Sequence, residues 1–174
     1  MIHITPLCPE DIPYKVRWYN DEKITEFLHY TEKFTIEKSL RWLEEIKNDP
    51  TRFENVVSIL EGDKIIKIGI IGLFNIDLIN KKAGFYITIG EKSYQGKGIA
   101  KRAAIQFLHE CFNKYDLNKI FLFTDKENIR AQKLYESLGF VQEGLLRQEL
   151  FYNNQFKDRY YYGILKSEFF EKWE

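Results

Sequence analysis

Between Ala83 and Thr124 the hydrophobic period of the chain changes twice, and this change limits the fold more than any other feature. Ala83 to Ile89 reads as a strand; Ile99, Ala103, Phe107 and Cys111 then recur at helical spacing through about Lys114, and Lys119 to Thr124 is again an apolar strand. The unit is strand, helix, strand. At its first join stands Tyr94-Gln95-Gly96-Lys97-Gly98-Ile99-Ala100. A helix N-terminus leaves backbone N–H groups unpaired and carries partial positive charge, so glycines there let an anion come close to the backbone. Lys97, Lys101 and Arg102 add charge in the same turns, which suits a pyrophosphate better than a single carboxylate. By themselves these residues fit a turn-forming loop with solvated lysines equally well, because short glycine patterns recur by chance. The segment holds neither a Gly-Lys-Ser/Thr after four spacers nor G-x-G-x-x-G, so nucleotide hydrolysis and dinucleotide binding lose support.

The remaining elements extend the same reading. Ile2 to Leu7 is a first strand, Glu10 to Asn20 a helix, and Thr35 the N-cap of a second helix that carries Ile36, Leu40, Leu43 and Ile46 on one face. Phe53 to Leu60 and Lys64 to Phe74 are strands joined at Glu61-Gly62-Asp63, where Gly62 supplies a positive φ. A turn at Asn80-Lys81-Lys82 leads into the strand at Ala83. A helix from about Asn128 to Leu138 stops at Gly139, and strands follow near Val141 to Tyr152 and Phe156 to Leu165. At 174 residues this is one domain, residues 1–174. Lys and Arg number 26 against 26 Asp and Glu, so no overall field draws the chain to nucleic acid or an anionic membrane. Cys8 and Cys111 form no C-x-x-C pair and read as small buried hydrophobes in a reducing compartment. Met1 to Pro6 lacks the pattern of a signal peptide, and Ile65 to Leu73 is too short to span a bilayer, so the expected location is cytoplasmic. His3, His29 and His109 are scattered and no acidic pair sits at ligand spacing beside them, so no metal is expected.

A second segment decides between the two readings of the glycine loop. Asn128-Ile-Arg-Ala-Gln-Lys-Leu-Tyr135-Glu-Ser-Leu-Gly139-Phe140 follows at the right distance. Together the two segments resemble the GNAT superfamily of Gcn5-related N-acetyltransferases. The family's cofactor motif, Gln/Arg-x-x-Gly-x-Gly/Ala, is met by Gln95, Gly98 and Ala100, and its later helix, with an Asn near the start and a Tyr before a Gly-Phe stop, by Asn128, Tyr135, Gly139 and Phe140. The tail Glu143-Gly144-Leu-Leu-Arg147 with Asn154-Gln-Phe-Lys-Asp158 is similar to the branch of ribosomal-protein N-terminal and spermidine acetyltransferases. Trp18-Tyr-Asn-Asp21 through Trp42-Leu-Glu-Glu45 resembles aminosugar acetyltransferases acting on nucleotide-linked sugars. The resemblance implies a single-domain α/β (α+β) fold: a mixed, mostly antiparallel sheet of six to seven strands, about four flanking helices, and splayed central strands that hold CoA.

It also implies the chemistry: acetyl-CoA as cosubstrate, and direct attack of a primary amine on its thioester in a ternary complex. The strand at Ile87, Thr88 and Ile89 pairs with the pantetheine amides as a further strand would, and Gln95, Gly96, Lys97, Gly98, Ile99, Ala100 and Lys101 receive the pyrophosphate. Gly90 marks the bulge that opens the strand. Asn128 and Tyr135 are seven residues apart, two helical turns, and so line one groove. Tyr135 meets the departing sulfur; a thiol titrates near ~8.5 and a phenol near ~10, so a hydrogen bond serves better than full proton donation. A backbone N–H near Ile89 meets the oxyanion, a contact typically worth about 3 kcal/mol. For the base, spermidine enzymes place a Glu near the position of Gly84, which this chain lacks. Glu26, His29 and Glu32, in the segment that lines the family's acceptor site, are candidates, with Tyr86 as a relay. The missing Glu leaves a catalytically silent acetyl-CoA sensor as the alternative. For the acceptor, Glu22, Glu26, Glu32 and Glu37 favour a polyamine, while Arg17, Trp18, Arg41 and Trp42 favour a nucleotide-linked amino sugar; a protein N-terminus stays open beside them. Exposed strands make a homodimer the default assembly.

Overall fold

The computed structural model describes residues 1–174. Its strands are β1 (Ile2–Pro6), β2 (Phe53–Glu61), β3 (Lys64–Asp77), β4 (Lys82–Ile89), β5 (Lys119–Asp125), β6 (Val141–Tyr152) and β7 (Gln155–Leu165). They form one sheet in the order β1-β2-β3-β4-β5-β7-β6. Every neighbouring pair is antiparallel except β4 and β5, the two strands joined by the helix that follows the glycine loop. The helices are α1 (Ile12–Tyr19), α2 (Glu22–Thr25), α3 (Ile36–Ile46), α4 (Ile99–Lys114), α5 (Ile129–Leu138) and α6 (Lys166–Trp173). None is long and apolar enough to cross a membrane.

The parallel join decides where a site can form. β4 and β5 pair only from Lys82↔Lys119 to Gly84↔Phe121. From Phe85 to Ile89, β4 keeps β3 as its partner and has none on the other side, so the sheet forks. At the crotch the Phe74 ring covers Gly84 so closely that any side chain there would overlap it, and meets Phe121 edge-on at 5.8 Å. The space that a carboxylate at position 84 would need is therefore filled by an aromatic ring.

Two cores hold the sheet. The larger joins Phe107, Leu108 and Phe112 of α4 to Phe85, Ile120, Leu138, Tyr162 and Phe169, all nearly without exposure. Burying side chains of this size contributes roughly 1.5–3 kcal/mol each. The smaller lies on the opposite face and gathers Ile12, Trp18, Tyr19, Val56 and Ile70. Ile68 is an extra residue of β3, between the pairs Val57↔Gly69 and Ser58↔Lys67, and it shifts the strand's alternation. Its carbonyl accepts the N–H groups of both Gly90 and Glu91, at 2.8 and 3.1 Å. The irregularity therefore sits across from Gly90 and not on it; Gly90 instead leaves room for the Trp18 indole, which would collide with any side chain there.

Local signals in the sequence largely hold. The Thr35 hydroxyl accepts the Lys38 N–H at 3.2 Å, Gly62 has φ +58° and Gly139 has φ +103°. Three expectations need correction. Helix α3 is rotated so that Ser39, Trp42 and Leu43 turn inward while Ile36 and Leu40 are exposed, because its position over α1 selects the Trp42 side. Six helices are present where about four were expected. Helix α2 is a single turn capped by Asp21, and α6 is too short for a period but is capped by Glu168, which accepts the Leu165 N–H at 2.9 Å. Finally, Cys8 is half-exposed, its thiol donating to Asp11 at 3.0 Å, whereas Cys111 is buried.

Candidate active site

The fork opens into a cavity of about 1270 Å³. One end is built from backbone. Ile87, Thr88 and Ile89 present the unpaired edge of β4, and Gln95, Gly96, Gly98, Ile99, Ala100 and Lys101 form the loop and first turn of α4. Gly96 and Gly98 have φ of +73° and +72°, and an added Cβ at either would meet nothing within 4 Å. They serve the left-handed backbone and leave its surface open. Gly98 caps α4 without a side chain, so the first N–H groups of this sixteen-residue helix are unclaimed, and no acidic residue occupies its first turn. Gln95 ties the loop down: its amide donates to the Ile89 carbonyl at 2.7 Å and accepts from Arg130 at 3.0 Å. An exposed strand edge beside a cationic helix terminus fits a ligand that carries both amides and a pyrophosphate.

Helix α5 supplies the wall opposite. Asn128 accepts the Ala131 N–H at 3.1 Å and so caps the helix, while Asn128 and Tyr135 both line the cavity. Tyr135 is buried against Phe140 and Tyr162, at ring distances of 5.9 and 6.4 Å. Burial pushes its hydroxyl up to about 12, so it stays protonated and can donate a hydrogen bond to a developing anion.

The other end is built from side chains of α1, α3, β2 and β4. Glu54 is nearly buried; its Oε1 accepts from Arg52 Nε and Nη2 at 3.0 and 2.7 Å, and its Oε2 accepts from the Tyr86 hydroxyl. Gly72, lacking a side chain, leaves the space into which that hydroxyl reaches. Burial, with the Glu54 charge beside it, raises the Tyr86 phenol well above its usual range. Lys15, Tyr19, Tyr30, Phe34 and Trp42 complete this end, and Glu26 and Glu32 stand at its exposed rim.

Two expected residues lie elsewhere. Lys97 projects over the Tyr94 ring at 5.7 Å and is not part of the lining, because the positive φ on both sides of it turns the side chain outward. His29, itself at φ +55°, pairs with Asp125 at the end of β5 and packs on Tyr152 at 4.8 Å. It fastens the 26–34 segment across the fork and does not face the cavity. Of the residues weighed for a nucleotide-linked sugar, Arg17 and Trp18 both bind Glu91, Arg41 pairs with Glu37, and only Trp42 reaches the lining; of those weighed for a polyamine, Glu26 and Glu32 reach it and Glu22 and Glu37 do not. Lys15, Arg52, Glu54 and Arg130 were missed. Arg52 and Glu54 had a readable signal, since residues two apart at a strand start share a face.

This geometry is matched by kinship. Residues 2–141 match the Acetyltransferase (GNAT) domain family, and the chain belongs to it. A spermidine N(1)-acetyltransferase of Escherichia coli K12 is 40% identical over 92 residues, 53% of this chain and 49% of that enzyme, so the match spans about half of the relative's length. An N-acetyltransferase of Bacillus licheniformis, described as uncharacterized, is 30% identical over 166 residues, covering 92% of this chain and 90% of the relative. Among solved structures, spermidine N-acetyltransferase from Vibrio cholerae in complex with CoA and spermine superposes with a TM-score of 0.89 at 27% identity, over 97% of this chain and 98% of that one.

Proposed function

We propose that this chain transfers an acetyl group from acetyl-CoA directly to a primary amine held in the same cavity. One observation carries the reading: a single cavity joins a backbone-built end suited to CoA with a side-chain-built end that holds a carboxylate. When bound, acetyl-CoA supplies an activated thioester. The β4 edge would pair with its amides, the loop from Gln95 to Lys101 and Arg130 would hold its pyrophosphate without the Lys97 side chain, and Asn128 would line the arm. Tyr135, kept protonated by burial, donates a hydrogen bond where thiolate charge develops. A backbone N–H near Ile89 stabilises charge on the carbonyl oxygen.

The amine must lose a proton before attack. Two buried carboxylates line the cavity; Asp125 is held by His29, while Glu54 stands beside Lys15, Arg52 and Tyr86, and the Tyr86 hydroxyl bonded to it offers a path into the cavity. The pair takes the role expected of a Glu at position 84, with Tyr86 two residues further along β4 and Glu54 reaching it from β2 across β3. We assign the proton to Glu54, relayed by Tyr86. The unpaired cysteines suit a reducing cytoplasm, and the outer edge of β6, where Val141 and Phe151 are exposed, suits self-association.

Initial rates of thiol release with both substrates varied test the mechanism. Intersecting lines are expected; parallel lines with a trapped acetyl-enzyme would mean a covalent route and sink the ternary complex.

A further inference from the structure

One buried charge at the acceptor end has no partner in the protein. Lys15 is 6% exposed, and its ammonium lies 4.0 Å over the Trp42 ring, 4.7 Å over Tyr19 and 5.3 Å over Phe34. No carboxylate or carbonyl accepts from it. Lysine on a helix ordinarily extends its stem along apolar surface and returns its charge to water. Here the chain runs the other way, from α1 into the cavity. The aromatic faces attract the cation but cannot accept its three N–H donors in ordinary hydrogen bonds. Glu54 is near enough to act on Lys15 but is already engaged by Arg52 and Tyr86. Lys15, Arg52 and Glu54 together leave one uncompensated positive charge. Desolvation accordingly holds the Lys15 ammonium down to about 8.

A buried cation facing a cavity is stabilised by an anion that arrives with the ligand. Resting on the transfer reading above, we infer that Lys15 and Arg52 receive an anionic group of the acceptor, which is therefore a primary amine that also bears a carboxylate or a phosphate. A polyamine brings further ammonium groups to a region where Lys15 and Arg52 already outnumber Glu54, so it is the disfavoured class; the other buried carboxylate of the lining, Asp125, already has His29 and Arg159 beside it. The Glu26 and Glu32 carboxylates do not reverse this, since both are exposed at the rim, and Glu32 is paired with Lys38.

The test uses four acceptors with the same four-carbon spacer: 1,4-diaminobutane, 4-amino-1-butanol, 4-aminobutyrate and 4-aminobutyl phosphate. Each is titrated calorimetrically into the CoA-saturated protein, and each is assayed with acetyl-CoA for thiol release. An anionic member is expected to bind about tenfold or more tightly than the diamine, as a charge-assisted contact implies. The carboxylate and phosphate arms show which anion the site takes. Lys15→Met should erase that preference while leaving CoA affinity within about twofold, and Lys15→Arg should retain part of it. The inference falls if the diamine or alcohol binds as tightly as the anions, if none of the four binds, or if Lys15→Met keeps the preference. The wild-type series decides this even if a variant fails to fold. Tight Lys15-dependent binding of an anionic member without thiol release would instead overturn the transfer reading and leave the anion site standing.

Discussion

The two ends of the cavity solve recognition in different ways. The end proposed for CoA uses main chain: an unpaired strand edge, two left-handed glycines and a helix terminus, with Gln95 and Arg130 bracing the loop. The end proposed for the acceptor uses side chains brought from α1, α3, β2 and β4, and its polar groups are arranged around Lys15, Arg52, Glu54 and Tyr86. Backbone recognition depends on local conformation and tolerates exchange of most side chains. Side-chain recognition depends on which residues the tertiary fold brings together, and single exchanges can redirect it.

The sharpest way to break this division is at Gly98. A β-branched residue must adopt φ +72° there, a strained conformation costing of order 1–3 kcal/mol. Gly98→Val should weaken CoA binding by about 100-fold by calorimetry, and an acceptor-only defect would contradict the assignment. Next in size, Tyr135→Phe removes the hydroxyl proposed to donate to the leaving thiolate. Its kcat should fall by about 100-fold with CoA affinity unchanged, read in parallel rate and binding measurements.

Glu54→Gln tests the other end. It leaves Arg52 without its ion-pair partner and Tyr86 without a charged acceptor, which costs about 1–3 kcal/mol in thermal or denaturant unfolding. Turnover should drop at least about tenfold while CoA affinity holds; a loss of CoA affinity would mean that the two ends are not separable.

Titration gives a smaller signature. Lys15 is protonated in both folded and unfolded chains below about pH 8. Above that, only the unfolded chain keeps the proton, up to roughly 10.4. The unfolded state then binds more protons, so this group adds stability as pH rises through the window, by at most about 1.4 kcal/mol per unit. Arg52, Glu54, Tyr19, Tyr30 and Tyr86 face the same region, so the readout is the difference from Lys15→Met, in which the rise should vanish. Smallest of all is Lys97→Ala, expected to change CoA affinity by less than about twofold, since an exposed lysine outside the lining is largely screened.

The residues themselves show why one end was legible and the other was not. Gln95, Gly98 and Ala100 act through torsion angles and spacing that are written consecutively, so the loop could be read before the fold was known. Tyr135 and Asn128 were readable for the same reason, because helical period alone puts them on one groove. Glu54 meets Tyr86 across 32 positions of sequence, and Lys15 meets Trp42 across α1 and α3. No local rule links such pairs. The sequence also offered His29 as a base; the structure turns it onto Asp125, 96 positions away, where it fastens a loop.

By itself, then, the amino-acid order determined the strands, the main helices, their caps and turns, and the glycine loop between β4 and α4, because these follow from short-range periodicity and torsional preference. Only the tertiary structure decided where the sheet forks, that Phe74 fills the space over Gly84, and that a buried lysine faces the cavity without a partner. Those outcomes depend on packing between distant segments, in which each side chain's environment is set by neighbours that sequence distance does not reveal.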